Sequence, residues 1–269
     1  MKSGEARLRK RVQLAGTTNL NPIMAGMEQN VFESQNRAVV YLDLLGFAAL
    51  VEANPEQLAT DAIDTAKWQT LTSDPASERL AAFHEIVETK IVTEQPNHAM
   101  VFSDCAFGVF YTPTACAEFS AILMQDFLRA KVPVRMGLGF GTFHSGGTST
   151  SFTGRSTVVR SMFGGTSVVR AVTAEGCGGK GMRIFAHSSF SGLYAKIGRA
   201  ERRREILRVP SQLKSVSHEV DFAYGLNPQE VSNLTENIKQ MAHSAPAEVQ
   251  DHYAETLRAL SRMLEGSDG

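Results

Sequence analysis

The run Ala38-Val39-Val40-Tyr41-Leu42-Asp43-Leu44-Leu45-Gly46-Phe47 constrains this chain more than any other stretch. It is β-rich and apolar, as a short strand buried on both faces must be. One carboxylate, Asp43, interrupts it. Burying a carboxylate is costly unless a metal ion or hydrogen bonds satisfy it. Gly46 then permits a tight turn into the helical pattern of Ala48 to Glu52. A strand, a carboxylate at its end and a glycine turn opening a helix together suit a metal-bound phosphate. Backbone N–H groups at a helix start attract anions, and the carboxylate holds the cation that bridges to them.

A second stretch answers the first: Ala99-Met100-Val101-Phe102-Ser103-Asp104-Cys105-Ala106-Phe107-Gly108-Val109-Phe110-Tyr111. Two apolar runs flank Ser103-Asp104, as in a hairpin whose tight turn carries a carboxylate. Side by side in one sheet, Asp43 and Asp104 suit the metal pair of an in-line phosphoryl displacement. The plainer alternative makes Asp43 a helix cap and Asp104 a turn residue.

Composition narrows the classes. The chain has 269 residues, enough for one large domain with an appendage. Its 27 Lys and Arg nearly balance 28 Asp and Glu, so charge gives no case for nucleic-acid or membrane partners. The densest cationic run, Arg202-Arg203-Arg204, is bracketed by Glu201 and Glu205, as on a solvated face. The basic N-terminus has no apolar segment behind it, and no stretch reaches transmembrane length. Cys105, Cys116 and Cys177 have no metal spacing and read as reduced thiols of a cytoplasmic protein.

Along the chain, residues 1–36 lack periodicity and read as a loosely ordered arm. Helical patterns follow over 55–71, with Trp68, and over 76–93, where His84 sits beside the apolar stripe as a packing or surface histidine. The hairpin around Asp104 comes next. Thr112-Pro113 opens a further helix, and Val134 to Phe140 is a strand. The order β-α-α-β-β-α-β predicts an α+β chain with a ferredoxin-like split βαβ core. Gly139 to Gly154, rich in Gly, Ser and Thr, reads as a long flexible loop or irregular hairpin. A helix over 165–175, a strand over 182–186 and β-like runs over 206–209 and 216–222 follow. Asn227-Pro228 opens the first of two C-terminal helices. The expected organisation is an arm (1–36), a catalytic domain (37–225) and a helical hairpin (226–269).

Tyr41-Leu-Asp-Leu-Leu-Gly-Phe47, Phe102-Ser-Asp104, Val134-Arg-Met-Gly-Leu-Gly-Phe-Gly141 and Gly165-Thr-Ser-Val-Val-Arg-Ala-Val-Thr-Ala-Glu175 occur in the order found in class III nucleotide cyclases. The chain resembles that family over roughly Ala38 to Ala186. More narrowly, it is similar to the bacterial pyrimidine (uridylate and cytidylate) cyclases of antiphage cyclic-nucleotide signalling. The resemblance implies a cyclase core of class III type and two Mn²⁺ or Mg²⁺ ions held by Asp43, Asp104 and the Leu44 carbonyl. It implies a triphosphate on the amides of Leu45, Gly46 and Phe47. It also implies a homodimer with composite sites, and a separate effector activated by the cyclic product.

Two departures matter. The family's asparagine and arginine on the helix after the long loop fall at Val169 and Thr173, which cannot stabilise a transition state. Arg170 is the nearest substitute, and Arg155 and Arg160 are the others. The family's adenine-reading lysine and aspartate fall at Met100 and near Met162, which suits a different base. UTP is favoured over CTP. Tyr41, two strand positions before Asp43, shares its face and is a candidate for contact with substrate. A non-catalytic nucleotide-binding or interaction module is the alternative, and a palm-type polymerase is a more distant one that the charge balance does not favour.

Overall fold

The computed structural model describes residues 33–52, 75–146, 149–153, 156–160, 163–202 and 204–266. The arm over residues 1–32, the helix over 55–71 with Trp68, and Arg155 and Met162 lie outside the described residues.

The first elements in chain order are β1 (Glu33–Leu44), α1 (Phe47–Glu52), α2 (Pro75–Glu94), β2 (His98–Phe102), β3 (Cys105–Phe110), α3 (Pro113–Arg129) and β4 (Val134–Ser145). The four strands lie in the order β2-β3-β1-β4, and every neighbouring pair is antiparallel. Each parallel pair, β1 with β2 and β3 with β4, therefore has a strand between its members. This is the α+β split βαβ core expected from the element order.

Alternation along β1 explains why its sequence is apolar from Ala38 to Leu42. Ala38, Val40, Leu42 and Leu44 enter the main core with Phe83 and Val87 of α2 and Leu123 and Phe127 of α3. Val39 and Tyr41 join Phe107, Val109 and Phe143 in a second cluster on the other face. Both faces of this central strand are covered, so neither selects polar residues. Residues 33–36 extend the strand, with Glu33 to Asn36 opposite Ser145 to Thr142.

β4 has a different division of faces. Val134, Met136 and Leu138 are in the main core, and the alternate positions 137, 139 and 141 are glycine. These glycines admit the backbone of α4 (Thr166–Glu175). An added Cβ at Gly137 would lie 2.1 Å from the Ala171 carbonyl oxygen, and one at Gly139 would lie 2.4 Å from that of Ser167. Between β4 and α4 come the ribbon β5 (Ser149–Thr153) and β6 (Ser156–Arg160), then β7 (Phe163–Gly164), which pairs with the end of β4. The loop expected to begin at Gly139 thus starts later. Residues 141–145 remain strand because β1 supplies a partner for each of them.

The chain continues through β8 (Ile184–His187), α5 (Ser188–Tyr194), β9 (Ile206–Leu213), β10 (Val216–Val220), α6 (Pro228–Ser244) and α7 (Gln250–Gly266). β8 adds to β4 in parallel, and β10 and β9 complete an eight-stranded sheet. α6 starts with a capping box: the Glu230 N–H donates to Asn227 Oδ1, and the Asn227 N–H donates to Glu230 Oε2. The α6–α7 hairpin buries Leu234, Ile238, Tyr253 and Leu260 in the main core. A buried ion triad ties α7 to the sheet. Arg183 Nε lies 2.6 Å from Glu219 Oε2, and Arg262 Nη2 lies 3.0 Å from its Oε1. Among the described residues, no helix is long and apolar enough to cross a membrane.

Candidate active site

The residues of interest meet at the C-terminal end of β1. Asp43 stands opposite Cys105 on β3 and Arg135 on β4. Asp104 sits in the turn between β2 and β3, where Ser103 adopts φ +32°. Two contacts fasten this turn. The Leu44 N–H donates to the Asp104 carbonyl at 2.9 Å, and His84 Nε2 lies 2.7 Å from the Ser103 carbonyl oxygen. His84 therefore does more than pack, since it joins α2 to the turn that carries Asp104.

Beyond Asp43 the chain turns through Leu45 and Gly46 into α1. Gly46 has φ +73°, a conformation that costs glycine little and most other residues much more. The sequence-based expectation assigned three amides here to a phosphate. The Leu45 N–H instead donates to the Pro133 carbonyl at 2.8 Å, because β4 enters the sheet directly beside it. Gly46 and Phe47 are left as the candidate donors. α1 spans only six residues, so its dipole is short and anion attraction there rests on local amides.

The electrostatics of this corner are dominated by carboxylates. Burial pushes the Asp43 carboxyl up to about 6, and Glu175 and Asp104 add to the rise. Arg135 and the Tyr41 hydroxyl work against it. Glu175, at the end of α4, is buried and paired with Arg135, whose Nε and Nη2 lie 2.6 and 2.5 Å from Glu175 Oε1. Arg135 Nη1 also donates to the Gly179 carbonyl at 3.1 Å. The Tyr41 hydroxyl is 3.5 Å from Asp43 Oδ1, and its ring is tilted against Phe107 at 4.8 Å. Burial and the nearby Asp43 hold the Tyr41 phenol well above its ordinary range, so it stays protonated and able to donate.

Burial, Glu175 and Asp104 all disfavour the charged form of Asp43, and Arg135, itself paired with Glu175, only partly offsets them. A divalent cation would relieve that crowding, and the hard oxygen donors present fit Mg²⁺ or Mn²⁺. Among the described residues, no group of three or more His, Cys, Asp or Glu side chains has metal-ligating placement. A cation at this corner would lean on Asp43, Asp104 and the Leu44 carbonyl.

The candidate arginines lie elsewhere. Arg170 Nη1 donates to the Phe140 carbonyl at 2.7 Å and packs beside Gly141. Gly141 is opposite Arg37, and Gly139 is opposite Val39, whereas Arg135 is opposite Asp43. Four to six strand positions amount to about 13–20 Å. Arg170 is thus not brought to Asp43 within one chain. Arg160 is the last residue of β6, and Arg155 is outside the described residues. Val169 is 65% exposed, and the Thr173 hydroxyl donates to the Val169 carbonyl at 2.8 Å. Met100 pairs with Phe107 across the hairpin and packs against the second apolar cluster.

Sequence reasoning gave His84 only a packing or surface place and singled out neither Arg135 nor Glu175 for the site. Arg135 had a signal, as the one charge in an apolar strand pattern. Glu175 and His84 had none until the fold placed them.

No family model matches the sequence, and no curated protein matches it. Several solved structures are similar. A bacterial light-regulated adenylyl cyclase aligns over 78% of this chain and 99% of its own, with TM-score 0.46 and 13% identity. An adenylate cyclase from Trypanosoma brucei in its monomeric state aligns over 71% and 92%, with TM-score 0.45 and 12% identity. The catalytic core of a rhodopsin-guanylyl cyclase with converted specificity, bound to ATPαS, aligns over 71% and 97%, with TM-score 0.43 and 13% identity.

Proposed function

We propose that this chain is a nucleotide cyclase that converts a pyrimidine nucleoside triphosphate, UTP before CTP, into its 3′,5′-cyclic nucleotide and pyrophosphate. The observation that carries this reading is the carboxylate corner: Asp43 at the end of β1, stapled through Leu44 to the Asp104 turn, beside a glycine turn. In the reaction the ribose 3′-oxygen forms a bond to the α-phosphorus, the bond from that phosphorus to the β-phosphate oxygen breaks, and the hydroxyl proton leaves to solvent. Bound Mg²⁺ or Mn²⁺ would supply the positive charge that activates the hydroxyl and neutralises the phosphates.

Each residue then has a task. Asp43 and Asp104 hold the cations through their carboxylates, and Leu44 adds its carbonyl. The amides of Gly46 and Phe47 face the phosphates. Arg135 holds Glu175 in its buried position and keeps that carboxylate from adding its full charge to Asp43. Tyr41 donates to Asp43 or to substrate from the same face.

The working form in this reading is a homodimer with composite sites. Arg170 is too far from its own Asp43 and would serve the site of the second copy. The exposed side chains Phe102, Tyr111, Val169 and Val172 supply apolar area for that contact. Discrimination against purines rests on Met100, which offers no hydrogen bond to a base edge. An unpaired buried polar group costs about 1–3 kcal/mol. By resemblance, the product is a second messenger in antiphage defence, read by a separate effector.

The deciding experiment mixes the full chain with equal ATP, GTP, CTP and UTP and Mn²⁺, and identifies products by mass. A cyclic pyrimidine majority supports the reading. A cyclic purine majority removes the specificity and leaves the cyclase. No cyclic product from any of the four favours the non-catalytic module.

A further inference from the structure

A largely apolar hollow lies on the other side of the sheet from the carboxylate corner. Asp43 and Tyr41 share the face of the second apolar cluster, whereas the walls of the hollow belong to the main core. Its volume is about 200 Å³. Its lining is mainly apolar, and a pocket of that kind accepts apolar guests. The roof is the turn at Leu45 and Leu50 of α1, and the floor is Met182 with Met241, Val249 and Tyr253 of the C-terminal hairpin.

The rim carries two cations, Arg79 of α2 and Lys131 before β4. Several other cations among the described residues have a carboxylate close by, as Lys90 has Asp126 at 2.8 Å and Arg204 has Glu118 at 3.1 Å. Among the described residues, the side chains of Arg79 and Lys131 have neither an ion pair nor a hydrogen bond. His252, also on the wall, accepts the Gly181 N–H on Nδ1, and burial pulls its pKa down, so it adds no third charge at neutral pH. An apolar chamber with two uncommitted cations at its mouth has the chemistry of an amphipathic carboxylate site.

We infer that this hollow binds a medium-chain fatty carboxylate, with the chain among Leu50, Met182 and Met241 and the headgroup on Arg79 and Lys131. The bound chain supports the underside of the Leu45–Gly46 turn and restrains it. The binding itself does not depend on the cyclase reading, since none of these contacts involves Asp43, Asp104 or a nucleotide.

The test titrates decanoate into the full chain by calorimetry, without metal or nucleotide. One saturable site is expected. Decanol, with the same chain and no carboxylate, should bind at least tenfold more weakly. The double variant Arg79→Gln/Lys131→Gln keeps the apolar walls and should also lose at least tenfold in decanoate affinity. Ala245→Phe fills the hollow and should abolish binding. Hydrogen exchange should slow at the amides of residues 45–52 when decanoate is present, in the wild type only. Absence of saturable binding to the wild type would overturn the inference. So would equal affinity in the Arg79/Lys131 variant, which would mean partitioning of the chain without recognition. Circular dichroism of each variant shows whether a lost signal reflects a lost fold. If Ala245→Phe does not fold, the decanol comparison and the double variant still decide.

Discussion

Asp43 is a carboxylate that its own strand would reject on hydrophobic grounds. It is kept at a corner where burial first, and then Glu175 and Asp104, push its pKa up to about 6. Such crowding makes sense where a cation is to be held. Asp43→Ala and Asp104→Ala are each expected to abolish cyclic nucleotide formation while leaving the circular dichroism spectrum unchanged. Normal turnover in either would remove that residue from the site. Asp221, which follows β10, is a second perturbed carboxylate. It is 2% exposed, and its Oδ1 accepts the N–H groups of Ala223 and Tyr224 at 2.8 and 2.9 Å. Burial nevertheless dominates and raises it to about 6. A carboxyl raised on folding favours the folded state while protonated, so its contribution is full below about pH 4 and is lost as pH rises toward 6. Asp221→Asn keeps the acceptor and removes the titration. Urea melts between pH 4 and 6 should show a shallower loss of stability in the variant than in the wild type.

At the scale of elements, the central relation is α4 lying on β4. Glycines at alternate strand positions let the helix backbone come within contact distance of the strand, and the ion pair of Arg135 with Glu175 closes the far end. Both side chains are largely buried, at 17% and 9% exposed. Removing one partner of a buried pair strands the other, at a cost of about 3–5 kcal/mol. Arg135→Ala and Glu175→Ala should each lose stability on that scale. Because the second removal strands nothing new, the double variant should lose clearly less than the sum. Chemical denaturation of the four proteins measures this, and strict additivity would mean that the pair is not coupled. The same ion pair lies beside Asp43, so its length and burial bear on the site as well as on the fold.

For the whole molecule, the decisive fact is distance along the sheet. The carboxylate corner is at the Arg135 end of β4, and Arg170 is at the Gly141 end. A site needing both must draw them from two copies. Asp43→Ala protein mixed with Arg170→Ala protein should therefore regain activity, because reassorted dimers contain one site with both residues. Sedimentation of the wild type should show a dimer at working concentration. Absence of rescue after proven subunit exchange would place the positive charge within one chain.

The sequence by itself determined the parts of this protein that have local causes. The apolar run with Asp43, the hairpin turn with Asp104, the Thr112 cap of α3 and the Asn227 cap of α6 all appear where residue type and spacing put them. The order of those elements was enough to predict the α+β split βαβ core. Only the tertiary structure decided what depends on partners far along the chain. β4 runs through Ser145 because β1 pairs with it, although glycine, threonine and serine in that stretch suggest a loop. The Leu45 amide is taken by Pro133, and His84 reaches the Ser103 carbonyl from α2. Arg135 meets Glu175 across forty positions, and Arg170 of α4 is held at the far end of β4 from Asp43. None of these pairings has a local signature. Each follows from which strands lie side by side, and that is set by burying both faces of β1 at once.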